Sequence, residues 1–233
     1  MTLRIALSAV LALSALTSPA AAREPRLRPA ANPSAVIARE LEFASAAQAK
    51  GQWTAFREFA AADAVMFTPA MVLAQGWLKG RADPPAAIRW QPAEVWSSCD
   101  GSLAVSHGAW QGAKGSGYFT TIWQRQSGGR YKWVLDSGDT LKEPLAVPEM
   151  ISAHVADCPA AKGPLMRREA KRPKTAATAF DPASRSGRSD DGTIAWTVTV
   201  AADGARNLSI EWKKDDTLQP LLIQQVVAPA GPR

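Results

Sequence analysis

From Gly115 to Asp139 the chain alternates large apolar or β-branched residues with polar ones at a period of two. The alternation runs from Tyr118 to Arg125 and again from Tyr131 to Asp136, across Gly128-Gly129. That spacing predicts two long half-buried strands joined by a tight turn. Ala93–Cys99 and Leu103–Gln111 read as two further strands, with Asp100-Gly101 as a hairpin signal between them. Together they make an antiparallel meander. Upstream the period changes. A helix is expected from Asn32 or Ser34, with Ser34 a plausible N-cap; Val36, Ile37, Leu41 and Phe43-Ala44 recur at helical spacing, and it should run to Lys50 and stop at Gly51. Trp53, Phe56 and Phe59-Ala60 mark a shorter helix, Ala64–Phe67 a short strand, and a brief segment follows near Trp77. Asp83-Pro84-Pro85 should open a third helical turn carrying Ile88 and Trp90. Helices first and a meander afterwards predict an α+β fold, with a bent antiparallel sheet wrapped on the N-terminal helices around a pocket.

A second meander is expected over residues 191–229, from strands at Thr193–Val200, Arg206–Trp212 and Pro220–Val227. It echoes the first. Asp100-Gly101-Ser102-Leu103-Ala104-Val105 resembles Asp191-Gly192-Thr193-Ile194-Ala195-Trp196. A true duplication and the ordinary likeness of Asp-Gly hairpins both account for the echo. Three strands alone are marginally stable, so this unit should pack on the main domain or on another copy of it.

The ends and the composition change the picture in two ways. Arg4, the apolar run Ile5–Leu16 and Ala20-Ala21-Ala22 have the form of a secretory signal peptide over residues 1–22, followed by a flexible lead-in over 23–33. Export to a bacterial periplasm or beyond is therefore expected, with no integral membrane segment left after cleavage near Ala22. The formal charge of +6 could indicate nucleic acid. However, much of it comes from a Pro-, Ala- and Ser-rich basic stretch within residues 146–190, which reads as a solvated linker. No nucleic-acid partner is expected. In an oxidising compartment Cys99 and Cys158 should form a disulfide. Neither His107 nor His154 sits at a ligand spacing from a cysteine, so no metal is expected; no Gly-rich phosphate loop precedes a helix, and no cofactor is expected.

The helix from Ala35 to Lys50, the Phe59–Phe67 segment, Gly76–Arg81 and the Gly-Tyr-Phe-Thr-Thr-Ile-Trp-Gln-Arg and Tyr-Lys-Trp-Val-Leu-Asp runs resemble the nuclear-transport-factor-2-like (NTF2-like) superfamily. More narrowly, they resemble its small secreted bacterial members of the DUF4440 or SnoaL-like type. The resemblance covers about Ser34 to Asp139, within an expected domain over residues 34–145, and leaves the C-terminal meander unaccounted for; it implies a cone-shaped pocket and pairing through sheets, hence a homodimer. It does not choose a function, because the fold hosts isomerases, dehydratases, cyclases, ligand binders and dimerisation modules.

Face bookkeeping supplies the candidate residues. Pairing Gln111 with Tyr118 and Gln126 with Arg130 puts His107, Thr120, Ile122, Gln124 and Asp136 on one face. It puts Trp110, Trp123 and Trp133 on the other. A slip of one residue would exchange the faces. On this register His107 is the candidate general base with Asp136 as its partner. Thr120, Ile122, Gln124, Trp110, Trp123 and Trp133 are candidate ligand contacts. Three readings follow: a binder of a small, mostly apolar molecule, an isomerase-, dehydratase- or cyclase-type enzyme, and a dimerisation module.

Overall fold

The computed structural model describes residues 30–146, 148–158 and 179–228, so the expected signal peptide lies outside the described residues. Helix α1 (Pro33–Lys50) starts where Asn32, rather than Ser34, caps it: the Asn32 side chain accepts the Ala35 N–H, and Pro33 occupies the first turn. Its buried stripe is Val36, Glu40, Phe43 and Ala47. Gly51, at φ 107°, lets the chain break directly into α2 (Gln52–Phe59). Strands β1 (Ala60–Phe67) and β2 (Met71–Leu73) lead into α3 (Ala74–Leu78).

The third helical turn expected at Asp83 does not form. Its two prolines offer no N–H, and the Asp83 carboxylate is committed elsewhere. It accepts the backbone N–H and the hydroxyl of Thr54 at 2.9 and 2.6 Å, so it closes the start of α2. Those bonds hold its pKa below the ordinary carboxylate range.

Strands β3 (Arg89–Ser97), β4 (Leu103–Gly112), β5 (Gly115–Arg125) and β6 (Tyr131–Leu141) form the expected antiparallel meander. With β7 (Ser152–Val155) they complete a seven-stranded sheet in the order β2-β1-β6-β5-β4-β3-β7. The β1–β6 and β3–β7 pairs are parallel, so the sheet is mixed rather than wholly antiparallel. Its bend has local causes. Register shifts interrupt β3–β4 at Pro92/Glu94 and β5–β6 at Ile122/Trp123. Gly108 and Gly138 flank Phe119 in one cross-strand row, and a Cβ at either would overlap a neighbouring strand's carbonyl oxygen (Gln91 or Tyr118).

Where three C-terminal strands are expected, there are four. Strand β8 (Ser184–Arg188), from within the expected basic linker, pairs with β9 (Ile194–Val200), followed by β10 (Arg206–Lys214) and β11 (Thr217–Val226). The helices lie on one face of the large sheet, where Phe43, Phe56, Phe59, Trp123 and Trp133 pack together. The second sheet covers the other face. Val65, Leu103, Val105, Ile122 and Leu135 meet Ile194, Trp196, Val198, Leu208 and Ile210 in a continuous apolar layer.

The two Asp-Gly turns are built alike and dock on each other. In the first, Asp100 accepts from the Ser98 hydroxyl and the Ser102 N–H, and Ser98 Oγ accepts the Leu103 N–H. In the second, Asp191 accepts from the Ser189 hydroxyl and the Thr193 N–H, and Ser189 Oγ accepts the Ile194 N–H. Across the junction Cys99 N–H donates to Thr193 Oγ1, and Asp190 N–H donates to the equivalent Ser102 Oγ. Asp100 N–H also donates to Asp191. The Cys99–Cys158 disulfide closes the same corner, with an S–S distance of 1.97 Å.

Burial opposes ionisation of Asp191, but its bonds from Ser189, Thr193 and Asp100 outweigh that and hold its pKa below the usual range. Replacing Asp191 by Ala should destabilise the chain by about 2–4 kcal/mol in urea denaturation near neutral pH, because several donors lose their acceptor together. A change under about 0.5 kcal/mol would mean that the junction contributes little.

Candidate functional site

The helix-facing side of the large sheet carries one line of polar side chains through an otherwise aromatic interior. Cross-strand pairing sets Ser106 opposite Thr121, and Thr121 opposite Asp136. From α1, Glu40 reaches down onto this line, because it is four residues beyond Val36 on the buried stripe. Its carboxyl accepts the Ser106 hydroxyl at 2.5 Å, the Trp90 indole N–H at 2.7 Å and the Trp123 indole N–H at 2.9 Å. Glu40 is fully buried. Burial raises its pKa, opposed by the bonds from Ser106, Trp90 and Trp123.

Asp136 completes the line. Thr121 Oγ1 donates to its carboxyl at 2.8 Å. By surface area Asp136 is only half-buried, yet its carboxyl sits deep in the protein. Loss of water pushes its pKa up to about 7, with the Thr121 bond working against the shift and the nearby Glu40 carboxyl adding to it. A carboxyl in that range both donates and accepts a proton near neutral pH. Nearby on the same strand, the Trp133 indole N–H is buried and has no hydrogen-bond partner among the described residues.

The expected pairing of His107 with Asp136 is not realised. The β4–β5 hairpin turns at Ala113-Lys114 and sets Gly112 opposite Gly115, so His107 lies opposite Thr120. That two-residue change leaves the faces intact. The β5–β6 hairpin keeps the expected register up to Trp123 opposite Trp133, and then Leu135 pairs with Ile122. Val134 is the extra residue of a β-bulge. It moves Asp136 opposite Thr121 instead of Thr120, and so onto the opposite face from His107.

His107 instead belongs to the side facing the second sheet. Its Nδ1 lies 3.0 Å from Thr120 Oγ1, and its ring is 5.9 Å from that of Tyr118. Burial lowers its pKa, outweighing opposing contributions from the Phe119 backbone and Glu94. Thr120 and Ile122 are buried on that side, and Gln124 follows them in the alternation. Trp123 and Trp133 are fully buried on the helix side. Trp110 is half-buried, and its indole N–H donates to the Asp139 carbonyl at 3.2 Å. The structure thus gathers Asp136, Trp123 and Trp133 on one face and His107, Thr120 and Ile122 on the other. Sequence reasoning misses Glu40. The available signal was a carboxylate four residues after Val36 and three before Phe43, on the apolar stripe of a helix.

No family model and no curated protein matches the chain. Among the solved structures similar to about half of it are two of low identity. One is a "putative ketosteroid isomerase" from Parabacteroides distasonis, 14% identical, matched over 50% of this chain and 98% of that one with a TM-score of 0.38. Another is a "putative aromatic ring hydroxylase" from Novosphingobium aromaticivorans, 12% identical, matched over 48% and 91% with a TM-score of 0.34. At these scores neither carries an argument about function. Among the described residues the chain is a mixed α+β structure with a large curved sheet and few helices.

Asp136 binds its proton more tightly in the folded than in the unfolded chain, where a carboxyl titrates near 3.9. Its contribution therefore favours folding below that value and is lost as pH rises to about 7. Asp136→Asn should accordingly raise the melting temperature relative to the parent at pH 8, and the gain should shrink towards pH 4. A gain independent of pH would show that the carboxyl is not perturbed.

Proposed function

We propose that the chain is an exported NTF2-like protein of the small secreted DUF4440/SnoaL-like type, with its NTF2-like domain over residues 34–145. In this reading its helix-facing site binds a small, mostly apolar molecule, with Asp136 as the polar contact. One observation carries the reading: Asp136 keeps accessible surface beside an aromatic interior, where loss of water pushes its pKa up to about 7. A few placed polar groups among apolar walls are what a small-molecule site requires. Asp136 supplies a proton donor, and the unpartnered Trp133 N–H supplies a second. The Cys99–Cys158 bond supports an oxidising compartment, and no described helix is long and apolar enough to cross a membrane.

A second reading, an isomerase-, dehydratase- or cyclase-type enzyme, is favoured by the same carboxyl. General acid–base catalysis is most effective when the group's pKa lies near the working pH. Here Asp136 moves the proton, and Glu40 takes the partner's place once given to His107. Glu40 acts by holding its neighbour's proton through charge, as paired carboxyls do. The dimerisation reading has less support, since the C-terminal strands cover their own chain's sheet. A homodimer would then form through another face.

Native mass spectrometry of the mature chain from its own host tests the binding reading. The expected result is a stoichiometric apolar molecule, with occupancy falling at least about tenfold in Asp136→Ala. An empty protein that also fails to bind hydrophobic fluorescent probes would overturn the reading, as would unchanged occupancy in the variant.

A further inference from the structure

The second sheet ends on a long strand with an open side. Strand β11 is the last in the order β11-β10-β9-β8, and no described strand pairs with its far edge. Open edges recruit other strands, and natural proteins blunt them with shortness, charge or proline. The other three edges follow that rule: β2 has three residues, β7 has four, and β8 has five, two of them arginines. Strand β11 has ten. Pro220 blocks its first half, but Leu221 to Val227 holds neither proline nor charge. Ile223 and Val227 on that stretch are 58% and 81% exposed. The direction of each main-chain group follows from β9. Lys213 N–H donates to the Thr193 carbonyl at 2.7 Å, so odd-numbered residues of β10 bond to β9 and even-numbered ones to β11. Gln224, opposite Leu208, therefore turns its N–H and C=O to β10, and Ile223 and Gln225 turn theirs to the open side. The Gln224 side chain shares the inward face with Leu208, and its Oε1 is buried with no hydrogen-bond partner among the described residues.

We propose that β11 pairs with β11 of a second copy of the chain, antiparallel about a two-fold axis at Gln224. In that register Ile223 and Gln225 of the second copy exchange main-chain hydrogen bonds, and the exposed Val227 meets Leu221. Gln224 meets its own counterpart, with Cβ atoms about 4.5–5.5 Å apart. A carboxamide carries both donors and an acceptor, so each amide gives an N–H to the other's Oε1 and supplies the missing bond. A foreign strand would have to bring a matching amide to that position, whereas a second copy brings it by symmetry. The stretch is uncharged, so self-pairing sets no like charges against each other, as it would at Arg185 and Arg188 of β8. One strand per chain is a small contact, so a micromolar dimer rather than an obligate one is expected. The pairing involves an edge, not the face that covers the large sheet, and it stands whatever the helix-side site binds.

The test is sedimentation velocity of the mature full-length chain across micromolar to submillimolar concentration, where the parent should pass from monomer to dimer. Ile223→Lys puts a charge on the exposed edge, and Gln225→Pro removes an N–H that points to the open side. Each should weaken dimerisation by at least about tenfold, with the near-ultraviolet circular dichroism unchanged. Gln224→Cys reads the register. Both native cysteines are in the disulfide, so mild oxidation should link two copies through residue 224. Leu218→Cys, exposed but outside the paired stretch, should not link. A parent chain that stays monomeric throughout would overturn the proposal, whatever else the edge binds. So would a dimer indifferent to both edge variants, or one that Gln224→Cys does not cross-link.

Discussion

One buried carboxyl ties the N-terminal helix to the sheet. Glu40 accepts hydrogen bonds from β3 through Trp90, from β4 through Ser106 and from β5 through Trp123, so a single group sets the height and rotation of α1 over three strands. Losing the carboxyl is costly, because the Trp90 indole N–H would lose its acceptor and Trp123 would keep only Ser106 Oγ. The arrangement also fixes the electrostatics. Glu40 stands near Asp136, adds to the upward push on its pKa and leaves it poised near neutral pH.

Much of this was legible in the sequence, and the losses have specific causes. Period-two alternation located β4, β5 and β6, and helical spacing located α1 and α2, because each buries one face. Glu40 escaped notice because an apolar stripe is read from apolar residues; Leu41, which fits the spacing, is 44% exposed. The face of Asp136 was lost to the bulge at Val134, since one extra residue reverses every later side chain on its strand and alternation alone does not locate it. Strand β8 hid in a segment whose Arg and Ser content reads as linker. At Asp83 the prolines suggested a helix start, whereas the carboxylate serves a helix that begins thirty residues earlier in the chain, at about that separation from Thr54.

The second sheet changes what the first can do. On the face that holds His107, the large sheet meets β9 and β10 rather than solvent, and the matched turns at Asp100 and Asp191 lock that contact at one corner. The echo between the two Asp-Gly segments thus extends to their hydrogen bonds and to their mutual docking. Both sheets run as meanders, β3 to β6 and β8 to β11.

On the helix side of the sheet, burial raises the pKa of Asp136 and the Glu40 carboxyl adds to the shift. A carbon-13 NMR titration of the Asp136 carboxyl tests it most directly, with Glu40→Gln as the comparison. The account requires a midpoint near 7 in the parent chain and a lower one in the variant, once the charge beside Asp136 is gone. A midpoint near the ordinary 3.9 of an exposed aspartate, unmoved by the substitution, would contradict it.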